Sequence, residues 1–223
     1  MHRLQQHILQ QLILNPELRY ADLKPREIEG NLFMYHLKQL IRDGLVEKQG
    51  KNGLYRLTSK GKLYADRLSL KSLTPRVQPR IVTLMAVEDG EGRWLFYRRK
   101  RQPLIDMVGF PYGKIHLGEG VKLAAERELR EKTGLVADLQ HYGDGYATTM
   151  EDGEPVSEIL FHLFYGSNPT GELIEKSDIG EAFWRHPEEV DGVDFMPNVK
   201  DLLKLVQSYD GSRFFAELTH HVQ

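Results

Sequence analysis

The sequence predicts an α/β protein in two parts: a small α+β domain over residues 1–72, and a larger α/β domain over residues 80–209 followed by a tail, 210–223. Three observations predict it. The first forty or so residues carry apolar stripes at helical spacing and lead into two short alternating runs of strand type. From Arg80 onward, near-continuous and alternating apolar runs of strand length take over. Between the two lies Lys71–Pro79, KSLTPRVQP, with two prolines and no periodicity, within which residues 73–79 read as the linker.

Composition bounds the function classes. The 223 residues suffice for two modest cores, and a hydrophobic content of 40% is ordinary for a globular chain. Cysteine is absent, which excludes disulfides, thiolate zinc sites and cysteine nucleophiles. No apolar run approaches the roughly 18 residues of a membrane-spanning helix. The start reads as amphipathic helix rather than as a signal sequence, so a cytoplasmic protein with no membrane partner is expected. The net charge of −2 conceals an asymmetry: residues 1–75 hold 13 Lys+Arg against 7 Asp+Glu, and residues 76–223 hold 17 against 25. A basic front part suits nucleic acid and an acidic back part suits a metal-bound phosphate ligand, whereas a merely solvated basic surface is the plainer reading of the first.

In the small domain, His2–Leu14 places Leu4, Ile8, Leu12 and Ile13 at helical spacing, and Asn15-Pro16 ends the run. Leu18–Lys24 reads as a short helix before a turn at Pro25. The next helix has Asn31 as its cap, Phe33, Leu37, Leu40 and Ile41 as its inward stripe, and Gly44 as its stop. Its other face carries Asn31, Tyr35, Lys38 and Arg42. Leu45–Lys48 and Leu54–Leu57 alternate as two strands around Gln49–Gly53, and Ser59–Leu70 closes the domain as a helix capped by Thr58 or Ser59.

Three helices and a hairpin, with YHLKQLIRDGLVEK leading to YRLTSKGK, resemble a winged helix-turn-helix of bacterial and archaeal transcription regulators. The resemblance implies double-stranded DNA as a partner, with Asn31, Tyr35, Lys38 and Arg42 at the groove or the phosphates, and Lys51, Lys48 and Arg56 on or near the wing. A winged helix used for dimerisation is the alternative. A homodimer is expected in either case.

In the larger domain, Ile81–Val87 and Trp94–Tyr97 read as strands joined by a turn at Glu88–Gly92. The cluster Arg98-Arg99-Lys100-Arg101 follows, either a contact to substrate phosphate or a solvated loop. Val136–Tyr146 and Ile159–Tyr165 read as further strands. The loop Thr148–Ser157 between them offers Glu151, Asp152 and Glu154, with Glu158 just beyond, as metal ligands or a general base, or simply as solubilising charge. Phe183–Val190 reads as strand and turn, and Pro197–Tyr209 as a helix burying Val199, Leu202, Leu203 and Val206. The tail from Asp210 is weakly patterned, His220-His221 reads as a frayed end, and the other histidines show no metal-ligand spacing.

The chemistry concentrates in Phe110–Leu135, FPYGKIHLGEGVKLAAERELREKTGL. A turn at Gly113 and a second at Gly118, carrying Glu119, precede a helix from Val121 to Thr133 that Gly134 stops. Leu123, Ala124 and Leu129 are expected to face inward, and Glu128 and Glu131, three apart, to share a face. Two carboxylates so placed either hold a hard divalent cation, which prefers oxygen ligands, or form a solvated face.

Gly113, five residues, Glu119, seven residues, Arg127-Glu128-Leu129-x-Glu131-x-x-Gly134-Leu135 resembles the Nudix box, matching eight of nine positions. The resemblance implies an α/β/α sandwich with a mixed sheet, Mg2+ or Mn2+ as cofactor, a nucleotide or sugar-nucleotide ligand, and hydrolysis of a nucleoside diphosphate-linked substrate. By that resemblance Glu128 and Glu131 are the metal ligands, and Arg127 and Glu119 complete the catalytic set by holding loop and helix in register. The backbone at Gly113 takes up ligand or metal, and Arg98 and Arg99 meet substrate. One position departs: Lys132 stands where the family usually has the second of two glutamates, and an ammonium there repels a dication and can pair with Glu128 four residues back. Two readings follow, a hydrolase with an impaired site, and a transcription regulator whose Nudix domain senses a nucleotide without cleaving it. Known regulators of that kind usually carry the Nudix half first, the reverse of the order here.

Overall fold

The structure, a computed structural model, describes residues 1–50, 53–190 and 194–222. It comprises two compact units, Met1–Val77 and Gln78–Gln223. Among the described residues, no helix is long and apolar enough to cross a membrane.

The first unit runs α1 (Arg3–Leu14), β1 (Leu18–Arg19), α2 (Tyr20–Leu23), α3 (Gly30–Arg42), β2 (Val46–Gln49), β3 (Leu54–Leu57) and α4 (Ser59–Asp66). α1 starts at a reciprocal cap: the His2 side chain accepts from the Leu4 amide while the Gln5 side chain accepts from the His2 amide, which satisfies two of the helix's orphan donors. Ile8, Leu9 and Leu12 of α1 bury against Phe33, Leu37 and Leu40 of α3 and Tyr55 and Leu57 of β3. The three strands form an antiparallel sheet in the order β1-β3-β2.

Several local expectations for this unit are corrected. α3 begins earlier than its apolar stripe suggests: Glu29 occupies the cap position and Asn31 lies inside the first turn. Ile41 is 37% exposed, because it follows Leu40 by a single residue and is rotated about 100° from it. α4 stops at Asp66, not Leu70. Leu68 is buried and bridges Pro75, while backbone bonds join Arg76 to Arg67 and Ser69 to Thr74, so part of the stretch that reads as linker is a folded turn of this unit. Asn31, Tyr35, Lys38 and Arg42 are all exposed on α3, and Lys48 on β2 is exposed as well. Lys51 lies outside the described residues.

The second unit runs β4 (Arg80–Glu88), β5 (Trp94–Arg99), β6 (Val108–Gly109), β7 (Tyr112–Lys114), α5 (Val121–Thr133), β8 (Leu135–Val136), β9 (Gln140–Glu151), β10 (Glu154–Ser167), β11 (Thr170–Gly171), β12 (Lys176–Ser177), β13 (Gly180–Arg185), α6 (Val199–Gln207) and β14 (Phe214–Val222). The main sheet has the order β12-β13-β5-β4-β10-β9-β14, with β6 on β5 and β7 on β4. It is mixed: β10 runs parallel to β4 and β14 parallel to β9, and the other pairs are antiparallel.

β4 shows how the layers arise. Six successive residues, Val82–Val87, are buried, as expected for a strand covered on both faces. Because neighbouring side chains alternate, Val82, Leu84 and Ala86 meet Val199, Leu202 and Val206 of α6, whereas Met85 and Val87 meet Ala125 and Leu129 of α5. One helix therefore covers each face.

Two strand assignments change what the site can contain. Thr148–Ser157 is not a loop but the end of a long hairpin turning at Asp152-Gly153, so Glu151 and Glu154 are paired strand residues at its tip. The weakly patterned tail is an edge strand, β14, in register with β9 from Phe214–Gly143 to Val222–Glu151. Its alternating burial shows that it packs on one side only, too weak a signal for a nine-residue run to announce itself in sequence.

Candidate active site

α5 positions the charged groups of the box. The helix ends where Gly134 takes φ +74°, a left-handed conformation that favours glycine, and gives its amide to the Arg130 carbonyl. Its buried residues are Ala124, Ala125, Glu128, Leu129, Lys132 and Thr133, so the inward stripe repeats every four residues. Glu128 and Lys132 lie on that stripe, whereas the side chain of Glu131 is 58% exposed against 11% for Glu128. Leu123 is also exposed, at 62%, not inward as expected.

Arg127 is the hub. Its Nε and Nη2 hold Glu119 bidentately at 2.7 and 2.9 Å, its Nη2 also donates to the Lys114 carbonyl at 3.0 Å, and its Nη1 donates to Glu128 Oε1 at 3.0 Å and Glu131 Oε2 at 3.2 Å. Glu119 also accepts from the His116 amide at 3.0 Å. The Arg127 hydrogen bond, followed by that amide, holds the Glu119 carboxyl down at about 2, and Glu119 in turn raises the Arg127 pKa above its ordinary value. Loop and helix are thus tied by a fork that matches a carboxylate edge to edge.

Glu128 spends its second oxygen on Lys132, whose Nζ lies 3.3 Å from Oε2. That ammonium is buried, with its nitrogen 4.5 Å from the Tyr112 ring centroid and 5.6 Å from that of Tyr97, contacts that replace part of its lost hydration. Gly113 is required here. It pairs with Thr83 between β7 and β4, and a Cβ on it would fall on the Cγ and Cδ of Glu128. The space beside this backbone holds the glutamate side chain itself.

A box-bound divalent ion does not fit these residues as they stand. Both Glu128 oxygens already face a cation, and one oxygen of Glu131 faces Arg127. A dication on Glu128 Oε2 would be repelled by the Lys132 ammonium, which already lies 3.3 Å from that oxygen. Lys132 is an internal counter-cation in the place where the ion is expected.

The two arginines assigned to substrate diverge. Arg98 is spent on the surface, donating to the Asp106 carbonyl at 2.9 Å and to Asp194 at 3.2 Å. Arg99 is 5% exposed, its guanidinium lies 4.8 Å from the Tyr112 centroid, and its Nε has no hydrogen-bond partner among the described residues. Burial pulls its pKa down. It lines a cavity of about 50 Å³ between the sheet and α6, together with Arg80, Phe110, Tyr112, Ser157 and Asn198.

Sequence reasoning missed Tyr112, which adjoins the box, and Tyr97 and Arg80, for which the sequence carried no signal. It also missed a group on the hairpin: ring nitrogens of His141 and His162 meet one oxygen of Asp144, at 2.8 and 2.6 Å. The cross-strand register that opposes His162 to Asp144 is not visible as a spacing along the chain.

Comparisons with known proteins bear on the family and the fold. Residues 78–207 match the NUDIX domain family. The chain is 26% identical over 102 residues to the uncharacterized Nudix hydrolase YvcI of Bacillus subtilis, covering 45% of this chain and 65% of that relative's length. It is 25% identical over 132 residues to the ADP-ribose pyrophosphatase of Methanocaldococcus jannaschii, covering 58% of this chain and 77% of the relative. Among solved structures, the MutT NUDIX hydrolase of Burkholderia pseudomallei superposes with a TM-score of 0.51 at 22% identity, covering 58% of this chain and 99% of that one, a likeness of fold. With more than half of its length matched and a mixed sheet between α5 and α6, the chain belongs to the Nudix family.

Proposed function

We propose that the second unit binds a nucleoside diphosphate-linked ligand and does not cleave it through a metal held by the box. The observation that carries this is the Lys132 ammonium 3.3 Å from Glu128 Oε2, with the other Glu128 oxygen on Arg127. Nudix hydrolases generally use divalent metals. Here the carboxylates that would hold one are already paired within the chain, Glu128 through both oxygens and Glu131 through one. The cavity beside Tyr112 supports a phosphate-sized anchor: Arg80 and Arg99 line it with positive charge, while Leu84, Phe110 and Leu202 supply apolar wall. ADP-ribose is the probe of choice, because one relative is an ADP-ribose pyrophosphatase.

The test is calorimetric titration of the full chain with ADP-ribose, once with chelator and once with millimolar magnesium, alongside assays of nucleotide release. Equal binding in both, with release no faster than from Glu131→Gln, is the expected result. Magnesium-dependent release well above that variant sinks the reading in favour of the hydrolase, which the retained Glu128 and the exposed Glu131 favour. Arg99→Met is expected to weaken binding by tenfold or more.

The first unit is proposed as a DNA-contacting winged helix. Support comes from the helix and strand order and from Asn31, Tyr35, Lys38 and Arg42, which are exposed together on α3. A gel shift with DNA upstream of its own gene is expected to show binding that falls steeply with salt and weakens in Lys38→Glu. No shift at low salt eliminates this role.

A further inference from the structure

We infer that His141, Asp144 and His162 form a binding site for a divalent first-row transition ion, with coordination positions open to a cleft whose lining includes Lys122 and Arg213. This site is separate from the box carboxylates and does not depend on the ligand reading above.

The hairpin builds the site by a local irregularity. In a regular strand, residues three apart point to opposite faces, so His141 and Asp144 would not meet. The register shifts between Leu163 and Phe164: Leu163 pairs with Gly143 but Phe164 pairs with His141, leaving Tyr142 as an extra residue on β9. That bulge turns His141 to the side of Asp144, a way in which bulges re-aim side chains next to functional sites. His162, directly opposite Asp144 on β10, completes the group.

The donor atoms converge. One ligand atom from each residue lies within 4.8 Å of the others, and each residue is half-buried. His141 Nε2 and His162 Nδ1 both approach Asp144 Oδ1, at 2.8 and 2.6 Å, and His141 Nε2 also lies 3.1 Å from the Gly143 carbonyl. A tetrahedral ion bonded at about 2.0–2.1 Å separates its ligands by about 3.3 Å, so both nitrogens must draw back somewhat from Asp144 Oδ1 to admit it. Binding requires each ligating nitrogen to be free of its proton, which a neutral imidazole achieves by carrying it on its other ring nitrogen. Phe164, 5.1 Å from His141 between ring centroids, and the edge contact between the two imidazoles at 5.8 Å restrict the rings.

The donor set selects the ion. Two imidazoles and one carboxylate suit zinc or iron(II), whereas magnesium takes oxygen ligands. Three protein ligands leave positions for water or a ligand. The cleft also carries Tyr209 and Arg213, which suit an anionic group bound to the ion.

The experiment is calorimetric titration of the full chain with zinc after dialysis against chelator, repeated with cobalt(II) and read by visible absorption. One ion per chain is expected, with affinity reduced at least tenfold in His162→Gln and in Asp144→Asn. Glu131→Gln and the double variant His220→Asn, His221→Asn are expected to bind as the parent does. Imidazole 15N shifts of His141 and His162 on zinc addition to the parent chain give a readout that does not require any variant to fold. Absence of stoichiometric zinc binding, binding undiminished in His162→Gln, or zinc that leaves those two ring signals unmoved overturns the proposal.

Discussion

The charged knot around α5 and the His-Asp-His group on the β9–β10 hairpin are both clusters of ionisable side chains, yet they are in opposite condition. On α5, Glu119, Glu128 and Glu131 are opposed by Arg127 and Lys132, and every one of these carboxylates is held by a cation of the chain. On the hairpin, a single carboxylate gathers two imidazoles and no lysine or arginine pairs with it among the described residues. Burial pushes the Asp144 carboxyl up, but the hydrogen bonds from His162 and then His141 outweigh it and hold the pKa below the ordinary value. The first cluster is closed by its own counter-charges. The second keeps donor atoms that a cation can claim. Whether a set of acids and bases is a site is decided by what already occupies its lone pairs.

The sharpest way to break this comparison is to remove the hub. Arg127→Ala leaves Glu119 without its fork and Glu128 with Lys132 alone, and is expected to cost about 4 kcal/mol of stability in urea unfolding. A loss below about 1 kcal/mol means that the knot is not closed.

Lys132→Glu comes next. Without metal, a further buried carboxylate beside Glu128 is expected to destabilise by about 3 kcal/mol. Magnesium at a hundred times its dissociation constant then restores about 2.7 kcal/mol, which thermal unfolding reads as a rise in midpoint. The parent chain is expected to show no such rise, and an equal rise in both chains refutes Lys132 as an internal counter-cation.

On the hairpin, Asp144→Asn retains a hydrogen-bonding side chain in a half-buried place, and about 1 kcal/mol is expected by the same urea measurement. A loss as large as that of Arg127→Ala makes the group a structural brace.

The smallest effect is pH dependence at Glu119. Its folded pKa, about 2, lies below the ordinary 4.5, so its stabilisation is present above about 4.5 and is lost as pH falls through 2. Stability of the parent is expected to decline over that window more steeply than stability of Glu119→Gln. Superimposable profiles contradict the fork.

The box motif made Arg127, Glu119 and the pairing of Lys132 with Glu128 legible, because i,i+4 neighbours on a helix meet whatever surrounds the helix. The unequal burial of Glu128 and Glu131, which both reach Arg127 Nη1, was not legible for a related reason: spacing relates two residues to each other but does not say which of them the sheet will cover. Arg98 and Arg99 adjoin in the chain and part company in space, since strand alternation sends one to the surface and the other under Tyr112. The hairpin group was illegible, because a bulge and a cross-strand register created it.

By itself the sequence determined the local matters: two units of different charge, the helix stop at Gly134, the apolar runs of β4 and α6, and the box with its one departure at Lys132. These follow from backbone preference and from the periods of helix and strand, which act within a few residues. Tertiary structure alone decided that the tail is the edge strand β14, that Arg99 is buried, and that His141, Asp144 and His162 converge. Each of these depends on which strand pairs with which and in what register, a choice made by the packing of the whole sheet.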